Sequence, residues 1–365
     1  MKNFNKVRSL LRVTLESLYS RLTGRPRFQA KYDLARLLIS RKSAATTTDL
    51  AYIVPPKSAG GWILDAICRE IDAFVAGNTA TAFAYDARLP HASVYFFSHY
   101  DYYRYALRKA VPKESKSVVF FTHPKDLGIS REELSFVLNH CDRVVSMCVQ
   151  SSEWLVELGV VPEKIVVATI GADPDFFPPH ERANGAVGLC TAFYDRKNPE
   201  RILDLVKAMP HRQFVLLGRN WPQWDRFSEL KSLSNLEYEE RPYSEYPAFY
   251  KKIDVFVSVS ILEGGPVPLI EAMMSNVVPV VSRTGIGPDI IQNGHNGFVF
   301  DVAATTEVIA ELIDHAFLLP NDIRQTVRHL TWERFSMQIQ AIAGLNATEE
   351  NSDQRLRLAE ESSRS

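Results

Sequence analysis

Two glutamates, Glu263 and Glu271, are separated by seven residues in the segment SVSILEGGPVPLIEAMMSNVVPVVS. The run KKIDVFVSVS before them is apolar and rich in β-branched residues, which predicts a buried strand. A Gly-Gly-Pro turn follows, a helix is predicted to begin near Pro268, and VVPVVS predicts the next strand. The segment is therefore predicted to form a βαβ unit.

Ligands of βαβ units bind outside the carboxyl ends of the strands, and free N–H groups at the helix start favour phosphate. Glu263 is therefore expected at the mouth of the crevice. Glu271 is expected about one turn into the helix, with its side chain directed toward the N-terminus. Carboxylates in these positions predict a site that accepts hydrogen bonds from the hydroxyl groups of a nucleotide sugar.

The segment resembles the E-x7-E signature of retaining, nucleotide-sugar-dependent glycosyltransferases of family 4, and the resemblance extends from about Leu50 to Phe335. Further similar segments are GLCTAFYDRKNPERILDLVKAM, FVLLGRNW, PDIIQNGHNGFVFD and the interdomain linker ATIGADPDFFPP. The resemblance implies an α/β fold of the GT-B type. Two Rossmann-like domains would face each other across a cleft, and a basic helical arm would precede them.

The expected organisation has four parts. Residues 1–48 form the arm, 49–180 the acceptor-side domain, and 181–345 the domain that binds the nucleotide sugar. Residues 346–365 are polar and are expected to be disordered.

The resemblance also implies roles for individual residues of the E-x7-E segment. Glu271 is expected to bind the ribose hydroxyls, and Glu263 is expected to contact the transferred sugar as a catalytic residue. The backbone at Gly264, Gly265 and Val267 is expected to lie against the sugar and phosphate.

Cations are expected to neutralise the departing diphosphate. Lys197 matches the phosphate-binding lysine of the family, while Arg196 and Arg219 are further candidates for the donor site. The family usually has an arginine five positions before that lysine, where this chain has Ala192. Two other departures are Pro266 in place of glycine, which removes an N–H donor, and Asp289 in place of glutamate.

Histidines follow two apolar runs in the first half of the chain. His123 in FFTHP matches an active-site histidine that touches the donor sugar. His99 in SHYD has no firm match and is interpreted as an exposed turn residue. Gly60 and Gly61 resemble the glycine turn that approaches the donor phosphate or the acceptor.

No acidic D-x-D signature lies outside the linker segment Asp173-Pro174-Asp175. Neither a metal ion nor a resident cofactor is therefore expected, and the nucleotide sugar serves as the co-substrate. The expected acceptor is a glycan or a lipid-linked precursor.

Residues 1–43 carry 11 Lys or Arg and two acids, a charge of +9 in a chain whose net charge is −1. KVRSLLRVTLESLYSRL, residues 6–22, predicts a basic amphipathic helix. It is interpreted either as an anchor on an anionic membrane or as a helix packed on the first domain. A transit peptide is a third reading of this arm. Nucleic-acid binding is not expected, because the arm has no interleaved aromatic platform.

The length of 365 residues suits two α/β domains, and no apolar run reaches the ~18 residues of a membrane span. Four cysteines without a C-x-x-C pair predict buried free thiols and a reducing compartment. The expected location is the cytoplasm, at the membrane face if the arm binds lipid.

Two other functional classes stay open. An epimerase or phosphorylase of the same fold would bind a nucleotide sugar or its components without a saccharide acceptor. A non-catalytic subunit is favoured by Ala192 and Pro266, whereas the presence of Glu263, Glu271 and Lys197 favours an enzyme.

Overall fold

A computed structural model describes residues 2–38, 48–56, 63–85, 89–107, 114–125, 127–320 and 322–345. Gly60, Gly61 and the predicted tail 346–365 lie outside the described residues. The chain divides into two compact units. The first unit comprises residues 1–145, 152–166 and 336–365, and the second comprises residues 146–151 and 167–335.

The first unit contains a six-stranded sheet in the order β2-β1-β3-β4-β5-β6. The pairs β1–β2, β1–β3 and β3–β4 are parallel. Its elements in chain order are α1 (Lys2–Thr23), α2 (Arg27–Leu38), β1 (Thr48–Val54), α3 (Ile63–Asp72), β2 (Thr79–Phe83), β3 (Ala92–Phe97), α4 (Tyr100–Leu107), β4 (Lys116–Phe121), α5 (Arg131–Asn139), β5 (Arg143–Ser146), α6 (Val149–Glu157) and β6 (Ile165–Val167). Central strands such as β4 are buried on both faces, as their continuous apolar sequences require.

The second unit contains a six-stranded sheet in the order β12-β11-β10-β7-β8-β9, with parallel pairing throughout. The elements that follow β6 are β7 (Ala186–Cys190), α7 (Pro199–Ala208), β8 (Gln213–Leu217), α8 (Phe227–Lys231), β9 (Leu236–Glu239), α9 (Tyr246–Tyr250), β10 (Val255–Ser258), α10 (Val267–Met274), β11 (Val278–Ser282), α11 (Gly287–Ile290), β12 (Phe298–Phe300), α12 (Thr306–Ala316), α13 (Ile323–Val327) and α14 (Trp332–Ala343). The predicted βαβ unit is confirmed as β10, α10 and β11. The predicted α/β class with two sheet-containing units is also confirmed.

The C-terminal helix does not follow the predicted linear domain order. Most of α14 groups with the first unit, although the sequence analysis assigned residues up to 345 to the second domain. The Ser336 hydroxyl donates to the Ile71 carbonyl at 2.7 Å, and Gln340 Nε2 donates to the Phe74 carbonyl at 3.1 Å. These bonds connect α14 to α3 and the turn after it.

The four cysteines, Cys68, Cys141, Cys148 and Cys190, are buried free thiols, as predicted. Across the described residues, no helix is both long and apolar enough to cross a bilayer.

Candidate functional site

The candidate donor site in the second unit lies where neighbouring parallel strands end. Glu263 follows β10, while Arg196 and Lys197 belong to a short 3-10 turn that follows β7. Because β10 and β7 are adjacent in the sheet, their carboxyl ends bring these residues together. The Ile261 N–H donates to the Arg196 carbonyl at 2.9 Å and ties the two loops to each other.

Glu263 is 6% exposed, and each of its carboxylate oxygens accepts from a cation. Lys197 Nζ donates to Oε1. Arg196 Nη1 donates to Oε2 at 3.0 Å and also to the Leu262 carbonyl at 3.0 Å. The structure therefore brings together three predicted site residues that are 66 and 67 positions apart in sequence.

Burial alone would raise the pKa of Glu263, but the opposing charges of Lys197 and Arg196 and hydrogen bonds from Lys197 and Ser260 outweigh it. The pKa of the carboxyl is therefore lowered, and the group is ionised at neutral pH. One carboxylate and two cations leave a net charge of +1 in a largely buried position. Such a cluster can accept a further anion, because its cations are held in place but are not fully neutralised.

Glu271 is the fifth residue of α10 and is 1% exposed. Oε1 accepts from the Tyr243 hydroxyl and Oε2 accepts from the Tyr250 hydroxyl, both at 2.7 Å. Sequence reasoning expected this carboxylate to accept hydroxyl hydrogen bonds, and in the structure tyrosine hydroxyls supply them. The sequence analysis identified neither Tyr243 nor Tyr250 as a source of these hydroxyls.

The two tyrosines differ in accessibility. Tyr250 is fully buried, and burial together with Cys190 and Glu271 raises its pKa well above the ordinary value. Tyr243 is 46% exposed and packs against Phe176 and Tyr246 with ring centroids 5.4 and 5.1 Å apart. Tyr243 can therefore leave Glu271 at a much smaller cost in lost packing than Tyr250.

The glycines after Glu263 are in a tightly packed loop. A Cβ at Gly265 would lie 2.7 Å from Met147 Sδ. Gly285, in the loop after β11, has φ +62°, and a Cβ there would lie 2.4 Å from the Gly264 carbonyl oxygen and 2.9 Å from Glu263 Cβ. Pro266 precedes Val267, the first residue of α10. The loop that carries Glu263 is therefore shaped by close backbone contact from the neighbouring loop.

Arg219, the remaining predicted cation, follows β8 and is exposed. Its carbonyl accepts from the Phe193 N–H at 3.0 Å, and within the described part of the chain no acceptor is hydrogen-bonded to its guanidinium. The nearby Trp221 is fully buried, with Nε1 donating to the Thr191 carbonyl at 2.8 Å. Trp221 therefore packs in the core and is not presented for stacking on a base.

A first prediction concerns Gly285, with Gly294 as a matched control. Both have positive φ, +62° and +75°, but a Cβ at Gly294 would meet nothing within 4 Å. We expect Gly294→Ala to reduce the free energy of unfolding by about 1 kcal/mol, because alanine is strained in the left-handed backbone conformation. Gly285→Ala should cost about 1–3 kcal/mol more because of the clash. Urea denaturation measures the difference, and equal losses would contradict the close packing.

In the first unit, His99 and His123 follow the adjacent strands β3 and β4. His123 is half-buried, whereas His99 is only 6% exposed. The interpretation of His99 as an exposed turn residue was therefore wrong. Its ring stacks on Tyr100 at 4.3 Å between centroids, and Nδ1 accepts from the Asp101 N–H at 3.1 Å at the start of α4.

His99 lines a pocket of about 170 Å³ together with side chains that include Tyr85, Asp101, Tyr102 and Lys125. Sequence reasoning missed this pocket, since no motif joins its residues. The available signal was the dense polar and aromatic segment SHYDYYRY directly after a buried strand.

Burial, with smaller effects of Lys125 and His123, lowers the pKa of His99 to about 4, although Asp101 acts in the opposite direction. Its ordinary value is 6.5. Between these values the unfolded chain binds a proton that the native state does not, so stability falls as the pH is lowered from about 6.5 to about 4.

A second prediction follows from this pKa. Lowering the pH from 7.5 to 5.0 should reduce the free energy of unfolding of wild type by about 2 kcal/mol more than that of His99→Gln. Urea denaturation at each pH measures both values. His91→Gln, at an exposed position, should retain the wild-type dependence. Parallel pH profiles of wild type and His99→Gln would contradict the burial of a neutral imidazole.

Within the residues that the structure describes, no three His, Cys, Asp or Glu side chains form a group suited to hold a metal ion.

Comparison with known proteins assigns a class to this architecture. Residues 187–329 match the family of glycosyl transferases group 1, a range that contains Lys197, Glu263 and Glu271. MMP alpha-(1->4)-mannosyltransferase of Mycolicibacterium hassiacum is 26% identical over 212 residues, 53% of this chain and 51% of that protein. The chain thus spans about half the length of this curated relative.

Two solved structures are similar over most of the chain. Anabaena HepE in complex with UDP and glucose has a TM-score of 0.65 at 12% identity, covering 80% of this chain and 98% of that one. Sucrose-phosphate synthase from Thermosynechococcus elongatus has a TM-score of 0.66 at 15% identity, covering 81% and 98%. The chain has the GT-B fold, and its second unit carries a glycosyl transferases group 1 domain.

Proposed function

We propose that the protein is a retaining glycosyltransferase that moves a sugar from a nucleotide-sugar donor to a glycan or lipid-linked acceptor. The observation that carries the proposal is the pair of buried carboxylates in the group 1 domain. Glu263 is held by two cations, and Glu271 accepts from two hydroxyl groups. Anabaena HepE, which shares the fold, was solved with UDP and glucose, and this supports a nucleotide-sugar donor.

Lys197 and Arg196 are the proposed diphosphate ligands. Both side chains form ion pairs with Glu263 in the structure. The cluster of one carboxylate and two cations has a net charge of +1, which attracts a second anion. The exposed Arg219 is a third proposed ligand. Together these cations would offset the charge that develops on the leaving diphosphate, so we expect transfer without a divalent metal ion.

Glu271 is the proposed ribose ligand. We expect a ribose hydroxyl to replace the Tyr243 hydroxyl on Oε1, since Tyr243 is half-exposed and can move away. Tyr250 is fully buried and would stay bonded to Oε2, which keeps the carboxylate oriented. The exchange substitutes one hydroxyl donor for another and leaves the buried charge satisfied.

Glu263 is proposed to contact the transferred sugar. In the transfer, the bond from the anomeric carbon to the phosphate oxygen breaks, and a bond to the acceptor oxygen forms on the same face. The acceptor proton passes to the leaving phosphate. Glu263 remains ionised beside Lys197 and Arg196, which favours electrostatic stabilisation of the reacting sugar over covalent attack. His123 is the proposed first-unit contact to the donor sugar.

A third prediction tests the donor site by thermal shift with UDP, GDP, ADP and CMP. One of these nucleotides at 100 times its Kd should stabilise wild type by about 2.7 kcal/mol. Glu271→Gln should lose most of that gain because the ribose loses an ionised acceptor. Glu311→Gln, an exposed α12 variant, should respond like wild type.

Ala192 supports a second candidate function, a non-catalytic GT-B subunit, because it leaves the phosphate site without one cation of the family pattern. The nucleotide panel distinguishes the two. If no nucleotide stabilises the wild type, the transferase proposal fails and the non-catalytic subunit is favoured. If a nucleotide binds, the corresponding nucleotide sugar is tested for transfer, and conversion to an epimer without acceptor would instead indicate an epimerase.

We also propose that α1 binds an anionic membrane surface. Leu15, Leu18 and Leu22 lie on one side of α1 and are 49%, 53% and 78% exposed, in a segment of high positive charge. The neighbouring α2 is instead packed on α5, where the Tyr32 hydroxyl donates to Glu133 at 2.9 Å. Deletion of residues 1–43 would therefore also uncover the core at Tyr32, so point substitutions are the cleaner test.

A fourth prediction uses flotation with vesicles of anionic or neutral lipid. Full-length protein should float with anionic vesicles, and the combined Leu15→Ser, Leu18→Ser, Leu22→Ser variant should lose most of this binding. Val308→Ser combined with Leu318→Ser removes exposed apolar side chains of the second unit and should bind normally. Equal flotation of wild type and the triple variant would exclude α1 as the membrane contact.

A further inference from the structure

The pocket in the first unit is formed at the carboxyl edge of four adjacent strands. Tyr85 follows β2, Pro56 follows β1, His99 follows β3 and Lys125 follows β4, and these strands are neighbours in the order β2-β1-β3-β4. This edge is where parallel α/β sheets bind ligands. The pocket lies in the first unit, whereas the cation cluster at Glu263 belongs to the second unit.

Among the described residues that line the pocket, the carboxylate of Asp101 is already satisfied. Asp101 Oδ2 accepts from the Tyr85 hydroxyl at 2.6 Å, and Oδ1 accepts from Arg104 Nε at 2.8 Å. Because Arg104 also balances its charge, Asp101 is poorly suited to bind a further cation. What the pocket offers a ligand is therefore determined by its other polar groups.

His99 offers a hydrogen-bond donor. Its Nδ1 accepts from the Asp101 N–H, so a neutral ring carries its proton on Nε2. Burial and the nearby positive charge of Lys125 keep the ring neutral at physiological pH by lowering its pKa. Among the described residues, no acceptor lies within hydrogen-bonding distance of Nε2. An N–H group that faces a pocket and has no protein acceptor is available to a ligand that supplies one.

Lys125 offers a second donor and a positive charge. Its carbonyl accepts from the Tyr100 hydroxyl at 3.3 Å, while its ammonium has no ion-pair partner within the described ranges. Lys125 and His99 both line this pocket. Among the described lining residues, Asp101 is balanced by Arg104, which leaves the positive charge of Lys125 uncompensated and makes the Lys125 ammonium and His99 Nε2–H available as donors.

Tyr85 is held in an unfavourable conformation at the pocket wall. Its φ is +71°, which costs a residue other than glycine about 1–3 kcal/mol. The bond to Asp101 and edge contacts with Tyr102 and Tyr105, at 5.7 and 4.9 Å between centroids, hold it there. The strained residue thus fixes one wall of the pocket and orients the carboxylate of Asp101, the residue whose backbone N–H bonds to His99 Nδ1.

We propose that this pocket binds an oxyanion, a phosphate or a carboxylate, carried by the acceptor substrate. The His99 Nε2–H and the Lys125 ammonium would both donate to it. The volume of about 170 Å³ suits one such group with part of the ring or chain attached to it. Assignment of the ligand to the acceptor rests on the proposed transferase function, whereas oxyanion binding itself does not.

The test is a titration of full-length protein labelled with ¹⁵N-histidine, observed by NMR at constant ionic strength. The His99 resonances are assigned with His99→Gln, and the probes are inorganic phosphate, D-glucuronate and neutral D-glucose. We expect saturable shifts of the His99 Nε2 signal with phosphate or glucuronate. Lys125→Gln should weaken the binding about tenfold, the loss of one charge-assisted hydrogen bond. Lys231→Gln, an exposed lysine in α8, should have no effect.

A response to phosphate alone would support a phosphorylated acceptor, and a response to glucuronate alone would support an acidic sugar. No shift with either anion, an equal shift with glucose, or unchanged affinity in Lys125→Gln would overturn the proposal. Nucleotide stabilisation is measured on the same Lys125→Gln protein. If the nucleotide still binds while the anions fail, this inference is wrong and the proposed transferase function stands. If the anions bind but no nucleotide does, the pocket is still an oxyanion site. Its assignment to the acceptor substrate is then wrong.

Discussion

Glu263 is almost completely withdrawn from water, and its charge is stable there because Lys197 and Arg196 reach it from the neighbouring loop. This contact exists only because β10 and β7 are adjacent in a parallel sheet. It also places two cations, fixed in position, at the carboxyl edge of that sheet. The proposed diphosphate ligands, the orientation of the Glu263 loop and the packing of Gly285 all depend on the same arrangement.

The two carboxylates of the second unit are stabilised in chemically different ways. Glu263 is paired with charge, which keeps it ionised and leaves net positive charge for an anion. Glu271 accepts from tyrosine hydroxyls, one of them exposed enough to exchange with another hydroxyl. A nucleotide sugar carries a charged diphosphate with a polyhydroxylated ribose on one side of it and a polyhydroxylated sugar on the other. The different environments of the two carboxylates therefore support a nucleotide-sugar donor.

The residues of the E-x7-E segment were predictable because their positions follow from local structure. An apolar run, a glycine turn and a largely apolar continuation that begins with proline specify strand, loop and helix from neighbouring residues alone. Lys197 was identified by the resemblance to family 4, and the structure shows that its ion-pair partner is Glu263. His99 was misjudged because a loop histidine is exposed by default, and only the rings of Tyr100 and Tyr102 bury it. The pocket around His99 was missed in the sequence, since its lining comes from the ends of four separate strands and SHYDYYRY follows only one of them.

The sequence by itself determined the α/β class, the βαβ unit at Glu263, the four buried thiols and the basic character of the arm. These features depend on composition and on spacing within a single element. Only the tertiary structure decided which cations neutralise Glu263, which hydroxyls satisfy Glu271 and that α14 groups with the first unit. The physical reason is that strand order in a parallel sheet differs from chain order. Groups far apart in sequence meet at one edge, where burial and charge then set their chemistry.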